Sequence, residues 1–233
     1  KDGNAVLEYT DSNGNLFHCV LMTFVEGVVL RDLIDKSLDD TTLFSILHSV
    51  GYTLGLIDKK LESFDHVDAH VKLQFWDLAR FLDIVPLVKF IDGETKKNKV
   101  ENVIEEFKEL IIPRMGEFRK SIIQNDANAS NIIVKEVNGD WQVGFVDFTD
   151  AVYTCTIFNL GICLAYMMKY HDNSVLAAEA ILKSYHSVFP LTLKEVEVLP
   201  LLIKARLATS VTLAARKRVE EPENVYALVD EKD

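Results

Sequence analysis

Hydrophobic positions alternate with polar ones at the start of the chain and then settle into steps of three and four. Residues 5–10 (AVLEYT) and 16–26 (LFHCVLMTFVE) carry the two-residue period of strands, and Asp11-Ser12-Asn13-Gly14-Asn15 between them is a turn cluster. Together they predict a hairpin. From the cap candidates Asp39 and Asp40, residues Leu43, Ile46, Leu47, Val50, Leu54, Ile57 and Leu61 recur on one helical face. The run FWDLARFLDIVPLVKFI predicts a helix broken before Pro86, and KVENVIEEFKELI a second amphipathic helix, with Lys96, Lys97 and Lys99 in a solvated loop between them. Short strand-like runs follow at 121–123, 132–137 and 141–148, with Asn138-Gly139 as a two-residue hairpin turn. From Thr156 onward every periodic stretch reads as helix, and no internal repeat is visible. The longest apolar stretch, residues 155–168, falls short of the roughly 20 residues that span a bilayer and reads as a buried core helix.

Composition narrows the class. A chain of 233 residues with 48% hydrophobic and 26% charged positions has enough apolar surface for one large domain or two small ones. Only 10 glycines and 5 prolines disfavour a turn-rich β-sandwich. The net charge of −11 repels phosphodiester backbones and anionic headgroups, so neither nucleic acid nor a membrane is an expected partner. A small phosphate ligand then requires a metal ion or a local cation. Cys19, Cys155 and Cys163 lie in apolar runs without metal-ligand spacing, which fits buried thiols and a cytoplasmic setting.

Two polar clusters interrupt the strand region. Asn125-Asp126-Ala127-Asn128-Ala129-Ser130-Asn131 lies between Ile122-Ile123 and Ile132-Ile133-Val134, and Asp147-Phe148-Thr149-Asp150 ends the run VGFV. Each alone reads equally well as an Asx-rich turn or a helix cap. Jointly, Asp126 followed five residues later by Asn131, then a hairpin, then Asp147-Phe148, is the layout of a kinase catalytic loop and metal loop. Phosphoryl transfer needs a carboxylate to orient the attacking hydroxyl and take its proton, and oxygen ligands for Mg²⁺. Asp126 suits the first role, Asn131 and Asp147 the second.

On these motifs, QNDANASNIIV and VGFVDFTDA, the chain resembles the aminoglycoside phosphotransferase and choline kinase-like family, whose patterns are H-G-D-x-x-x-x-N and I-D-F-G-D-A. LMTFVEG, FWDL, IFNLGICLAYMM and RLATSVTLAA bring it nearest to the hydroxylysine kinase branch, over nearly the whole chain. The resemblance implies an α+β, protein kinase-like fold with a truncated N-terminal lobe and a mainly helical C-terminal lobe. It also implies transfer of the γ-phosphate of GTP or ATP, with Mg²⁺, to 5-hydroxylysine or a similar hydroxylated amine or amino acid. Residues 1–27 would be the remnant of the small-lobe sheet and the hinge, and 28–233 the large lobe. Three departures stand out: Gln124 and Asn125 replace the family's His-Gly, Thr149 replaces the Gly of the metal motif, and no glycine-rich phosphate loop is present. The chain therefore reads as a fragment of a complete kinase or as an impaired, pseudokinase-like binding protein. Acceptors such as choline, ethanolamine or homoserine are the third possibility.

The resemblance also places backbone groups of Thr23 and Val25 at the purine edge of the nucleotide, against a plain strand exit closed by Gly27. Asp150 would assist at the metal or orient the substrate. Trp76 and Asp77 suit an acceptor pocket, as an aromatic wall and an anionic group for an ammonium, or else the core. Arg206 suits an acceptor carboxylate or a structural ion pair. His66 and His70, four apart, lack the HExxH partner that would argue for zinc.

Overall fold

The computed structural model describes residues 6–34, 38–71 and 74–223. The expected hairpin forms as β1 (Leu7–Thr10) and β2 (Leu16–Cys19), with Leu7 opposite Cys19. The Asp11 carboxylate closes its turn by accepting from the Asn13 and Asn15 amides. The second strand ends at Cys19 rather than Glu26, and residues 20–26 continue without regular structure. Cys19 is exposed, against the expectation of three buried thiols; Cys155 and Cys163 are buried.

At Gly27 the backbone turns at φ +142°, where a Cβ would lie 2.6 Å from the Val134 carbonyl oxygen. Only glycine allows that approach. It admits β3 (Val28–Val29) to the edge of β5 (Ile132–Val137), which pairs in turn with β6 (Asp140–Phe145). The β5–β6 turn is Asn138-Gly139 as expected, with φ +55° and +88°. A separate pair joins β4 (Lys120–Ile123) to β7 (Val152–Cys155). The sequence reading missed β7, whose four residues are too short to show a period and run straight into a helix.

Helices build the rest. After α1 (Leu30–Ile34), Asp39 caps α2 (Asp40–Leu61) by accepting from the Thr42 amide at 3.0 Å. Then come α3 (Val67–Val71) and a 3₁₀ segment, Leu78–Phe90, capped by Asp77. The backbone break in that segment is at Arg80 (φ −106°, ψ +15°), not before Pro86, because the cap closes its first turn with Arg80 N–H on the Asp77 carbonyl. The lysines assigned to a loop lie in the first turns of α4 (Glu94–Leu110), with Lys96 and Lys99 solvent-facing while Val100, Ile104 and Phe107 enter the core. A 3₁₀ turn at Ile112–Glu117 leads to β4.

The run 155–168 supplies α5 (Ile157–Met167), buried at ten of its eleven positions, as expected of a core helix. α6 (Ser174–Val188) packs on α2, and α7 (Leu193–Glu220) on α5. A Thr192–Glu195 capping box starts α7, and the same Glu195 accepts a two-point contact from Arg119 at 2.9 and 2.7 Å. That contact ties the start of β4 to the last helix. The stretch VYALVDEKD, whose sequence resembles the beginning of a longer final helix, lies outside the described residues.

The α2–α6 crossing is unusually close. A Cβ on Gly51 would sit 2.2 Å from the Ile181 carbonyl oxygen, and one on Gly55 3.0 Å from that of Tyr185. Alanine adds about 1 kcal/mol of helix propensity, but forcing these backbones apart costs more. Gly51→Ala is therefore expected to lower stability by about 2 kcal/mol, read as a reduced urea midpoint with an unchanged m-value.

Candidate active site

The loop between β4 and β5 is held from both sides by the two residues that depart from the family pattern. Gln124 is fully buried. Its Oε1 accepts from the Asp126 amide at 2.9 Å and its Nε2 donates to the Asp147 carbonyl at 2.8 Å. One side chain thus ties the loop bearing Asp126 to the turn bearing Asp147. Asn125 stands at φ +70°, the left-handed region that glycine enters freely and that asparagine tolerates best among other residues. Its Nδ2 donates to the Asp150 carbonyl at 3.2 Å, and its backbone N–H donates to Asn159 Oδ1 on α5 at 3.1 Å.

Asn131 N–H donates to the Asn128 carbonyl, and the Asn131 carbonyl accepts from Val146 N–H at 2.9 Å. The hairpin β5–β6 thereby returns the chain beside its own start. Asp126, four-fifths buried, uses both carboxylate oxygens. Oδ2 accepts from Asn128 Nδ2 and Asn131 Nδ2, each at 2.8 Å, and Oδ1 accepts from Arg206 Nη2 at 3.0 Å. With Nδ2 of Asn131 donated to Asp126, Oδ1 is the remaining polar atom of that side chain. Asp147, at φ +57°, accepts through Oδ1 from Thr149 N–H and from the Thr149 hydroxyl. Left-handed backbone is thus carried by Asp147, not by Thr149, and the threonine adds a bond to the carboxylate instead of straining the turn.

Arg206 is buried and has all three nitrogens engaged: Nη2 with Asp126, Nη1 with the Trp76 carbonyl at 2.8 Å, and Nε with the Tyr166 hydroxyl at 3.1 Å. The rings of Trp76 and Tyr166 lie 4.7 and 5.2 Å from the guanidinium carbon. Arg206 is therefore paired with Asp126 itself, and Trp76 lies against its guanidinium. Asp77 is a buried helix cap, not a free anionic group: Oδ1 accepts from the Ala79 amide and the Thr154 hydroxyl. Burial raises its pKa. Val25 packs within 3.4 Å of where a Gly144 Cβ would be, so the stretch before β3 runs beside the strand that delivers Asp147. Thr23 is exposed in the same stretch.

Beneath the loop lies a polar chain that sequence reasoning missed. Asn159 Nδ2 donates to Asp58 Oδ1 at 2.7 Å, and the Tyr185 hydroxyl donates to Asp58 Oδ2 at 2.6 Å. All three are fully buried. The signal was present: Asp58 interrupts the apolar stripe of α2 between Leu54 and Leu61, and Asn159 interrupts the apolar run of α5. Burial pushes Asp58 up to about 7, against the hydrogen bonds from Tyr185 and Asn159 and the Arg119 charge, which lower it.

No group of three or more His, Cys, Asp or Glu residues suited to a metal occurs among the described residues, and His70 is taken up by Asp65 and stacked on Tyr153. What Asn131 and Asp147 offer is a small set of hard oxygen donors. That suits Mg²⁺, which fills its remaining positions with water and phosphate oxygens, better than zinc.

Comparison with known proteins gives a consistent picture. A family model described as "Phosphotransferase enzyme family" matches residues 4–217. Hydroxylysine kinase of Mus musculus is 33% identical over 191 residues, 76% of this chain and 50% of that protein. Hydroxylysine kinase of Danio rerio is 27% identical over 209 residues, 88% of this chain and 57% of that one. The chain spans about half the length of the curated relatives it matches. Among solved structures, an amicoumacin kinase in complex with AMP-PNP, Ca²⁺ and Ami aligns with a TM-score of 0.60 at 14% identity, over 99% of this chain and 65% of that one. A microcompartment-associated aminopropanol kinase aligns with a TM-score of 0.64 at 14% identity, over 94% and 74%. The shared feature is the protein kinase-like fold.

Two outcomes are expected from this geometry. Asn125→Gly removes one hydrogen bond but also a buried Oδ1 with no partner among the described residues, and it relieves the left-handed backbone. It should change stability by less than about 1 kcal/mol, whereas Asn125→Val should cost about 2 kcal/mol or more in chemical denaturation. The second concerns pH. Folded Asp58 keeps its proton to about pH 7, while the unfolded chain loses it near 3.8, so the folded state binds more protons between those values. Its contribution is therefore fully present below about pH 4 and is lost as pH rises through about 7. The stability of wild type relative to Asp58→Asn should decline across that window in paired denaturation curves.

Proposed function

The chain belongs to the phosphotransferase enzyme family, and from that premise we propose that it carries the catalytic lobe of a small-molecule kinase acting on 5-hydroxylysine or a similar hydroxylated amine. The observation that carries this reading is the junction at Gln124. A single buried amide holds the Asp126 loop and the Asp147 turn together, so that the proposed base and the proposed metal ligands belong to one rigid unit. The substituted pair Gln124-Asn125, which would suggest an impaired relative, is accommodated without loss of that unit.

Asp126 acts as the base. The acceptor hydroxyl hydrogen-bonds a carboxylate oxygen, its oxygen attacks the γ-phosphorus, the proton passes to Asp126, and the bond from the γ-phosphorus to the β,γ-bridging oxygen breaks to release the diphosphate. Arg206, Asn128 and Asn131 fix the carboxylate in one orientation, and the buried guanidinium opposes the negative charge of a −11 chain where phosphates must approach. Asn131 and Asp147 would hold Mg²⁺, which when bound would neutralise charge on the phosphates. Thr23 and Val25 contribute backbone groups to the purine edge, and Asp150 assists at the metal or orients the substrate. The names of the curated relatives and the shared motif text support the hydroxylysine acceptor, the GTP donor rests on the family resemblance alone, and a cytoplasmic setting is part of the same proposal.

The assay is γ-phosphate transfer from GTP and from ATP, with Mg²⁺, to 5-hydroxylysine. Asp126→Asn and Asp147→Asn should each reduce turnover by about 10² or more. Asp147→Asn should leave circular dichroism melting little changed, while Asp126→Asn, which leaves the buried Arg206 charge unpaired, should lower Tm yet keep the folded spectrum at about 25 °C. Turnover retained in Asp126→Asn would contradict the assignment of the base.

A further inference from the structure

We infer that Asp58 is a positioning residue for Asp126, acting across α2, α5 and the catalytic loop by fixing which way the Asn159 amide points. Asp58 lies 68 residues before Asp126 in sequence, yet two hydrogen bonds connect it to the loop backbone: Asn159 Nδ2 to Asp58 Oδ1 at 2.7 Å, and Asn125 N–H to Asn159 Oδ1 at 3.1 Å. An asparagine side chain has two orientations that exchange its oxygen and nitrogen. Ionised, the Asp58 carboxylate is an acceptor only, so above about pH 7 it selects the orientation seen here, with Nδ2 toward Asp58 Oδ1 and the asparagine Oδ1 left for the Asn125 amide. The opposite orientation would set Nδ2 against a backbone N–H and a carbonyl against a carboxylate, two repulsive contacts in a site that excludes water.

Asn125 is the residue immediately before Asp126, and its backbone is left-handed. Its N–H is buried and depends on Asn159 for its acceptor. The Tyr185 hydroxyl, donated from α6 to Asp58 Oδ2 at 2.6 Å, holds the carboxylate in turn, and the Gly51 and Gly55 contacts are what bring α6 close enough to do so. The groups that face Asp58 are Tyr185 on α6, Asn159 and the Cys163 thiol on α5, and the charge of Arg119 beside β4, itself paired with Glu195.

The test is site-resolved amide hydrogen exchange, which needs no turnover. In Asp58→Leu, exchange at the Asn125 amide should accelerate at least tenfold relative to that of Ile123, which lies in the β4–β7 ladder. Asp58→Asn retains an acceptor toward Asn159 and should restore protection to within about threefold of wild type. Tyr185→Phe, a milder change that keeps the core filled, should accelerate Asn125 exchange selectively should Asp58→Leu not fold. Equal acceleration at Asn125 and Ile123, or protection in Asp58→Asn no better than in Asp58→Leu, would overturn the inference. A kinetic arm rests on the proposed kinase reading: Tyr185→Phe should lower kcat with KM for the acceptor nearly unchanged. Absence of turnover in wild type would count against that reading alone, while the exchange result stands by itself.

Discussion

Everything at the site follows from how two successive buried residues satisfy their hydrogen bonds. A loop that leaves a buried strand and carries a carboxylate toward solvent must find partners for its own amides inside the protein, where an unpaired N–H costs about 1–3 kcal/mol. Gln124 Oε1 accepts the Asp126 N–H and Asn159 meets the Asn125 N–H from below, while the donor ends of the Gln124 and Asn125 side chains reach the Asp147 and Asp150 carbonyls. The polypeptide is thereby pinned on three sides at the position before Asp126. Arg206 then approaches from α7 and completes the set of donors to the carboxylate. A buried ion pair of this kind adds little net stability, but removing one partner leaves an uncompensated charge, so it serves to fix geometry.

Much of the architecture was legible because it rests on long periodic stretches. The stripe from Leu43 to Leu61, the apolar run 155–168 and the Asn138-Gly139 turn each map onto the element they predict. The failures have local causes. A period of two is invisible in a four-residue strand such as Val152–Cys155, and the lysines at 96, 97 and 99 read as loop because polar helix turns at a solvent face resemble one. The 3₁₀ segment broke where Asp77 capped it, not where proline stood, because a side-chain cap defines a first turn that proline further along need not disturb.

The two loops proposed as the site were legible from the spacing of their polar residues, while the residues that support them were not. Asp126, Asn131 and Asp147 announce themselves by spacing, whereas Asp58, Asn159 and Tyr185 are scattered over 127 residues and meet only because α2 and α6 approach through glycine. Single polar residues within apolar stripes were the trace they left in the sequence. The departures from the family pattern also looked different once placed. Asn125 is the substitution a left-handed backbone accepts most readily, and Thr149 occupies ordinary backbone while its hydroxyl binds the neighbouring carboxylate.

The central claim is that Asn131, bonded to Asp126, and Asp147, tied to the same loop through Gln124, form one cation-binding edge. Crystals grown with Mn²⁺ and a non-hydrolysable nucleoside triphosphate analogue would test it directly through anomalous scattering from the metal. The account predicts a Mn²⁺ peak bounded by the Asn131 side-chain oxygen and the Asp147 carboxylate, with the nucleotide phosphates completing its coordination. An ordered nucleotide whose Mn²⁺ lies away from both residues would contradict it.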